Sequence, residues 1–169
     1  LLDFDLDGDL DVYFAQGGNV STAWQTPSTN TATNQLFRNE GKLHFVNVTE
    51  ATGTGDNGYG MGMAVGDIDS DGDPDVYITN AGRNTMLRND NGVFTDITEE
   101  SGTGHSGWGA SALFFDADGD GVISRQDLRA VALVVCIQAV VPKHCPPAAL
   151  PPHARRPLAR HPPLHLPLL

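Results

Sequence analysis

The sequence predicts an all-β fold, a partial β-propeller of two to three blades, followed by a short helix and a disordered proline-rich tail. Three observations carry that expectation. The phrase Asp-x-Asp-x-Asp-Gly occurs three times, beginning at Asp3, Asp67 and Asp116. The last two copies lie 49 residues apart and the text leading into each is nearly the same. A period of roughly 40–50 residues holding several short strands is the mark of a propeller blade or a related array. The acidic composition then stops at Asp127, after which the chain is rich in proline and basic residues.

The elements follow in order. After the first loop, Val12-Tyr-Phe14 reads as a strand, matched by Val76-Tyr-Ile78 after the second. The Ser/Thr/Asn/Gly stretch from Gly17 to Thr33 reads as a surface loop. Asn34-Gln-Leu-Phe-Arg-Asn39, Phe45-Val-Asn-Val-Thr-Glu50, Gly53-Thr-Gly55 and Gly58-Tyr-Gly60 then lead to Asp67. Their counterparts are Asn84-Thr-Met-Leu-Arg-Asn89, Phe94-Thr-Asp-Ile-Thr-Glu99, Gly102-Thr-Gly104 and Gly107-Trp-Gly109, leading to Asp116. The runs Asp75–Thr79 and Val93–Thr98 predict strands, with turns at Asn80-Ala-Gly82 and Asn89-Asp-Asn-Gly92. Gly107 to Phe115 also reads as strand. Tyr59 and Trp108, each between glycines, are read as blade-packing aromatics, the glycines permitting close strand approach; the other reading is an exposed recognition ring. Arg38 and Arg88 are read as structural, pairing with a neighbouring loop.

The loops carry the chemistry. Alternate carboxylates of a curled loop converge on one point, where they would repel one another without a cation. Ca²⁺ accepts about six to eight oxygens from carboxylates, backbone carbonyls and water, and glycine at the sixth position allows the sharp turn. The carboxylates so placed are Asp3, Asp5, Asp7, Asp9 and Asp11 in the first loop and Asp67, Asp69, Asp71, Asp73 and Asp75 in the second. Those of the third are Asp116, Asp118 and Asp120, with Val122 and Asp127 further along the same loop.

The wording from Gly66 to Asn80, followed by Asn84–Asn89 and Val93–Thr98, resembles the FG-GAP/VCBS repeats of cartilage-acidic-protein-like (ASPIC/UnbV) proteins. These are distantly similar to integrin α-subunit propellers. The resemblance covers residues 1–124. It implies a β-propeller with calcium in its hairpin loops, in a secreted or cell-surface protein that binds partners and is not a catalyst. Carried over, Asp3, Asp5, Asp7, Asp11, Asp67, Asp69, Asp71 and Asp75 would be side-chain ligands, and Asp9 and Asp73 would give backbone carbonyls. The chain holds fewer blades than a full ring and opens inside a loop, so it reads as a piece of a longer product, and the lack of a signal peptide says nothing about secretion.

The third loop departs from the pattern. Counting Asp116 as position one, Val122 falls at seven, Ser124 at nine and Asp127 at twelve. Residues 116–128 therefore resemble an EF-hand or dockerin loop, in which position twelve closes the shell and a helix follows. A helix is predicted over 125–141. The other reading is a blade whose frame is lost after Gly121, leaving Asp127 in solvent.

All 21 acidic residues lie at or before Asp127 against five basic ones, a local balance of −16 within a chain of net charge −11. That balance excludes nucleic acid as a partner, since phosphate binding needs a basic stripe. Fourteen of the acids sit in the three loops, so the charge is metal chemistry and not a sign of disorder. Nine of the 11 prolines fall within 142–169, which predicts a disordered tail that can be deleted without loss of fold. This tail reads as a read-through or mis-spliced end, with a basic recognition arm as the other reading. His144, His153, His161 and His165 have no compact metal spacing. Cys136 and Cys145 decide nothing, and Asn19 and Asn47 fit the glycosylation pattern. The apolar run Leu128–Val141 is too short to cross a bilayer, which takes about 20 residues.

No nucleophile, base or elbow forms a catalytic set. The leading expectation is a Ca²⁺-binding extracellular or cell-surface interaction module, with protein or glycan ligands held by a full propeller. The alternatives are a fragment of a calcium-dependent lyase or hydrolase built on a propeller, and an EF-hand-type protein using residues 116–127.

Overall fold

A computed structural model describes residues 1–17, 32–116, 118–124 and 127. All belong to one unit of the chain, Leu1–Ala139. Most of the expected surface loop at 17–33, the helix at 125–141 apart from Asp127, and the tail at 142–169 lie outside the described residues. So do Asn19, both cysteines and the four tail histidines.

The described part is built on antiparallel strands. The first sheet has the order β1 (Val12–Phe14), β2 (Gln35–Asn39), β3 (Phe45–Asn47). The second runs β4 (Tyr59–Gly66), β5 (Asp75–Arg83), β6 (Thr85–Asp90), β7 (Val93–Asp96), and β8 (Ser106–Trp108) pairs with the far end of β5. The one-turn helices α1 (Thr49–Thr52) and α2 (Thr98–Ser101) follow β3 and β7. Each sheet is a blade of an open, partial propeller, with no closed barrel among the described residues.

The same hydrogen bonds close both units. The Tyr13 hydroxyl donates to the Thr54 carbonyl at 2.7 Å, and that of Tyr77 donates to Thr103 at 2.9 Å. Strand β3 ends where Asn47 Oδ1 accepts the Thr49 N–H at 3.0 Å, and β7 ends where Asp96 Oδ1 accepts that of Thr98 at 2.9 Å. Such an Asx turn diverts the chain from the ladder into a helical turn. The threonine hydroxyls then accept the N–H groups of Leu36 and Met86, both at 2.9 Å. Each helix stops at a left-handed glycine, Gly53 (φ 73°) or Gly102 (φ 71°). This local chemistry explains why the apolar runs reaching Glu50 and Thr98 are not strands to their ends.

Two further expectations are corrected. Asn80–Gly82 is not a turn but the end of β5, because Asn80 and Ala81 pair with Gly60 and Tyr59 on one edge and Ala81 and Gly82 pair with Trp108 and Gly107 on the other. The stretch from Gly107 to Phe115 is strand only as far as Trp108. The turn at Asn91–Gly92 is as expected, both residues having positive φ.

The core lies between the blades. Leu2, Phe4, Tyr13 and Leu36 of the first unit pack on Val76, Ile78, Leu87 and Phe94 of the second. The opposite face of the second sheet, with Ala64, Tyr77 and Met86, packs with Ile68, Ile97 and Phe114. Leu36, Val76, Ile78 and Met86 are fully buried, each contributing about 1.5–3 kcal/mol relative to exposure. No helix among the described residues is long and apolar enough to cross a membrane.

Candidate metal centres

The backbone of each loop is wound around its own first carboxylate. Asp3 accepts the N–H groups of Asp7 and Gly8, both at 3.1 Å. Asp67 accepts those of Ser70 (2.7 Å) and Gly72 (3.0 Å), and Asp116 those of Gly119 (2.6 Å) and Gly121 (2.8 Å). The sixth-position glycines Gly8, Gly72 and Gly121 have φ of 92°, 96° and 90°, a conformation side chains disfavour. A second turn follows in each: Asp7, Asp71 and Asp120 accept from Asp9, Asp73 and Val122 at 2.8–2.9 Å.

The ninth-position aspartates of the first two loops clip loop to sheet. Asp11 accepts from Phe4 N–H at 3.0 Å and Asn39 N–H at 2.8 Å. Asp75 accepts from Ile68 at 2.8 Å and Asn89 at 2.7 Å. Both side chains are fully buried.

Carboxylate oxygens converge as three trios: Asp3, Asp5 and Asp11; Asp67, Asp69 and Asp71; Asp116, Asp118 and Asp127. Within each trio the oxygens lie within 4.8 Å of one another. Of the other expected ligands, Asp7, Asp9, Asp73, Asp75, Asp120 and Val122 bring no side-chain oxygen into a trio. Asp73 instead accepts the Asn91 N–H at 2.7 Å, and Asp75 serves as the clip.

Electrostatics reflects the crowding. Burial, then the charges of Asp7 and Asp11, push the Asp5 carboxyl above the ordinary range, and burial, then Asp71, does the same to Asp69. Burial pushes Asp75 up to about 6. The N–H of Gly121 holds Asp116 below the usual value. Asp5 Oδ1 is a buried oxygen with no hydrogen-bond donor. An all-oxygen donor set with such an orphan acceptor fits a hard cation; Ca²⁺, Mg²⁺ and Mn²⁺ suit it, whereas softer metals prefer nitrogen and sulfur.

The third loop is closed differently. Asp127 is 1% exposed, and its Oδ2 accepts the Ser124 N–H at 2.8 Å and hydroxyl at 3.0 Å. Its carboxylate faces Asp116 and Asp118, not solvent.

Around the loops, Arg88 Nε lies 3.9 Å from Asp69 Oδ2 while Arg88 also binds Asp90 at 2.9 Å. Arg38 pairs with Glu40 at 2.6 Å. Tyr59 is half-buried and Trp108 is 37% exposed. A Cβ on Gly60 would meet Ala15 at 2.9 Å and one on Gly109 would meet Asn84 at 2.9 Å, so these glycines serve close packing. The sequence reading missed Asp56, whose carboxylate accepts from Asn34 (3.3 Å), Asn80 (3.2 Å) and Thr85 (3.0 Å). It lines a cleft of about 300 Å³ with Arg83 and Asp96. His105 occupies its repeat position, so a search for recurring phrases passes over it.

The family profile described as "FG-GAP-like repeat" matches residues 3–78 and 67–123. No curated protein matches, and no solved structure matches.

Proposed function

The chain belongs to the FG-GAP-like repeat family, and from that premise we propose that it is a non-catalytic, calcium-binding interaction module that works outside the cell or on its surface. Ca²⁺ would neutralise crowded carboxylates and tie the loops of the blades; protein or glycan ligands would be held by the assembled propeller. The supporting observation is the three-fold recurrence of one wound loop, each bringing three carboxylates within 4.8 Å. Asp3, Asp5 and Asp11 would hold one ion, Asp67, Asp69 and Asp71 a second, and Asp116, Asp118 and Asp127 a third, with water and backbone carbonyls completing each shell.

Titration calorimetry of the whole chain tests the reading. Calcium should bind with an affinity on the order of 10⁻⁴–10⁻³ M, typical of extracellular modules. Asp69→Ala should remove the second site and leave the others. Mg²⁺ should compete poorly, because it demands a small octahedral shell and sheds water reluctantly. Absence of calcium heat, with Asp69→Ala indistinguishable from wild type, would refute it.

Inward placement of Asp127 favours a finer reading for the third site, in which position twelve closes an EF-hand-like shell. The loop then joins a propeller-type entry to an EF-hand-type exit.

A further inference from the structure

Two Asn-x-Ser/Thr triplets occur in the chain, Asn19-Val-Ser21 and Asn47-Val-Thr49. Only the second lies within the described residues. Asn47 is the last residue of β3, the end strand of the first sheet, and it is exposed.

The two polar atoms of its side chain have different duties. Oδ1 accepts the Thr49 N–H at 3.0 Å and the Thr49 hydroxyl at 2.7 Å. A backbone N–H can only donate, so the atom facing it is the oxygen. Thr49 Oγ1 in turn accepts the Leu36 N–H at 2.9 Å, which ties the turn to β2. Asn47 Nδ2 has no hydrogen-bond partner among the described residues. By contrast, the side-chain nitrogens of Asn34, Asn39, Asn80, Asn84 and Asn89 all donate.

The second repeat shows what the fold itself asks of this position. Asp96 stands there, and its Oδ1 makes the same bonds to the Thr98 N–H and hydroxyl. An oxygen acceptor is all that the turn needs, and a nitrogen adds nothing to it. Asp96 is also exposed, although Phe94 on the same strand is buried against Phe4 of the first unit. The position therefore stays accessible with a neighbouring blade in place.

We propose that Asn47 is a site of N-linked glycosylation, its Nδ2 taking an oligosaccharide from a lipid pyrophosphate donor. The transfer forms a bond between Nδ2 and the anomeric carbon of the first sugar. It breaks that carbon's bond to the pyrophosphate, which leaves, and passes one Nδ2 proton to a base of the transferase. Thr49 supplies the hydroxyl that the acceptor triplet requires. The product is still an amide, so Oδ1 keeps both bonds and the turn is undisturbed. A bulky, solvated group then stands on an end strand, where bare backbone could pair with another chain.

The inference rests on the extracellular reading, because the transferase works on the lumenal side of the secretory membrane. The test supplies that routing, so a failure belongs to the site and not to the reading, which calorimetry tests separately. The whole chain with Asn19→Gln, an added signal peptide and a C-terminal extension containing Asn-Ser-Thr is secreted from cultured animal cells. The extension reports contact with the transferase. This chain should carry one more glycan than the same chain with Asn47→Asp, counted by a gel shift that peptide-N-glycosidase removes. Asn47→Asp keeps the oxygen acceptor, so its circular dichroism should match that of the glycosylated chain. An equal glycan count, with the extension glycosylated in both, would overturn the proposal. So would a chain glycosylated at Asn47 that lacks the β-sheet spectrum of Asn47→Asp, since the turn would not have survived the sugar.

Discussion

At the scale of single residues, the loops set like charges against one another and then hold them with amides. Asp75 shows the balance: two N–H groups favour its anion, while burial outweighs them and pushes its pKa up to about 6. Between the ordinary value of about 4 and 6 the folded chain therefore keeps a proton that the unfolded chain has lost, so stability falls as pH rises through that window. Asp5 and Asp69 are shifted in the same direction. Melting in EDTA should give a higher Tm near pH 5 than at pH 7, with the difference reduced in Asp75→Ala; a Tm that climbs over that interval would refute the sign. Arg88 acts on the same charges from outside, its Nε 3.9 Å from Asp69. A cation arriving in that loop would feel the guanidinium as a like charge. Arg88→Gln should tighten calcium binding roughly five-fold, about 1 kcal/mol at intermediate dielectric. The lost Arg88–Asp90 pair is partly exposed and contributes little. Weaker calcium binding by calorimetry would instead make Arg88 a support that positions Asp69.

At the scale of elements, position twelve of the third loop is the sharpest test. Asp127→Ala should weaken that site by removing an oxygen of the trio, whereas Ser124→Ala should do less, since Ser124 lies outside the trio and its hydroxyl donates to Asp127. Equal affinity in wild type and Asp127→Ala, measured by calorimetry, would return the loop to a broken repeat. The blade units, the wound loops and the β-rich class were legible because they recur: a phrase repeated in order constrains register as well as composition. Where elements stop was less legible. Asn80-Ala-Gly82 carries turn residues, yet strand partners on both edges keep it extended. Val93–Thr98 alternates as a strand should, yet the Asp96 carboxylate captures the Thr98 hydroxyl and amide and starts a helical turn. Among the carboxylates, spacing showed that they converge but not which ones turn away. Asp11 and Asp75 hold equivalent clips, but only Asp11 also joins a trio.

For the whole molecule, an open array of blades has stability assembled from neighbour contacts, and cations add to that sum by mass action. Each occupied site should add about 1.4 kcal/mol at ten times its Kd. Tm should therefore rise steadily with calcium, while far-ultraviolet circular dichroism of the folded chain stays unchanged. A calcium-dependent change in the spectrum below the melting transition would point to a sensor. The fold accounts for the expected contrast: the blades are joined through a buried cluster that includes Val76, Ile78 and Leu36 and contains no carboxylate.

The winding of each loop around its first aspartate has a consequence for timing. Asp3, Asp67 and Asp116 gather the amides that shape the turn, so the hydrogen bonds that wind each loop are made within the chain itself. If the loops bind Ca²⁺ as proposed, entry would then be a matter of an ion shedding water, not of a chain finding a conformation. The loops would behave like open sockets, filled quickly when the surrounding concentration rises and emptied quickly when it falls.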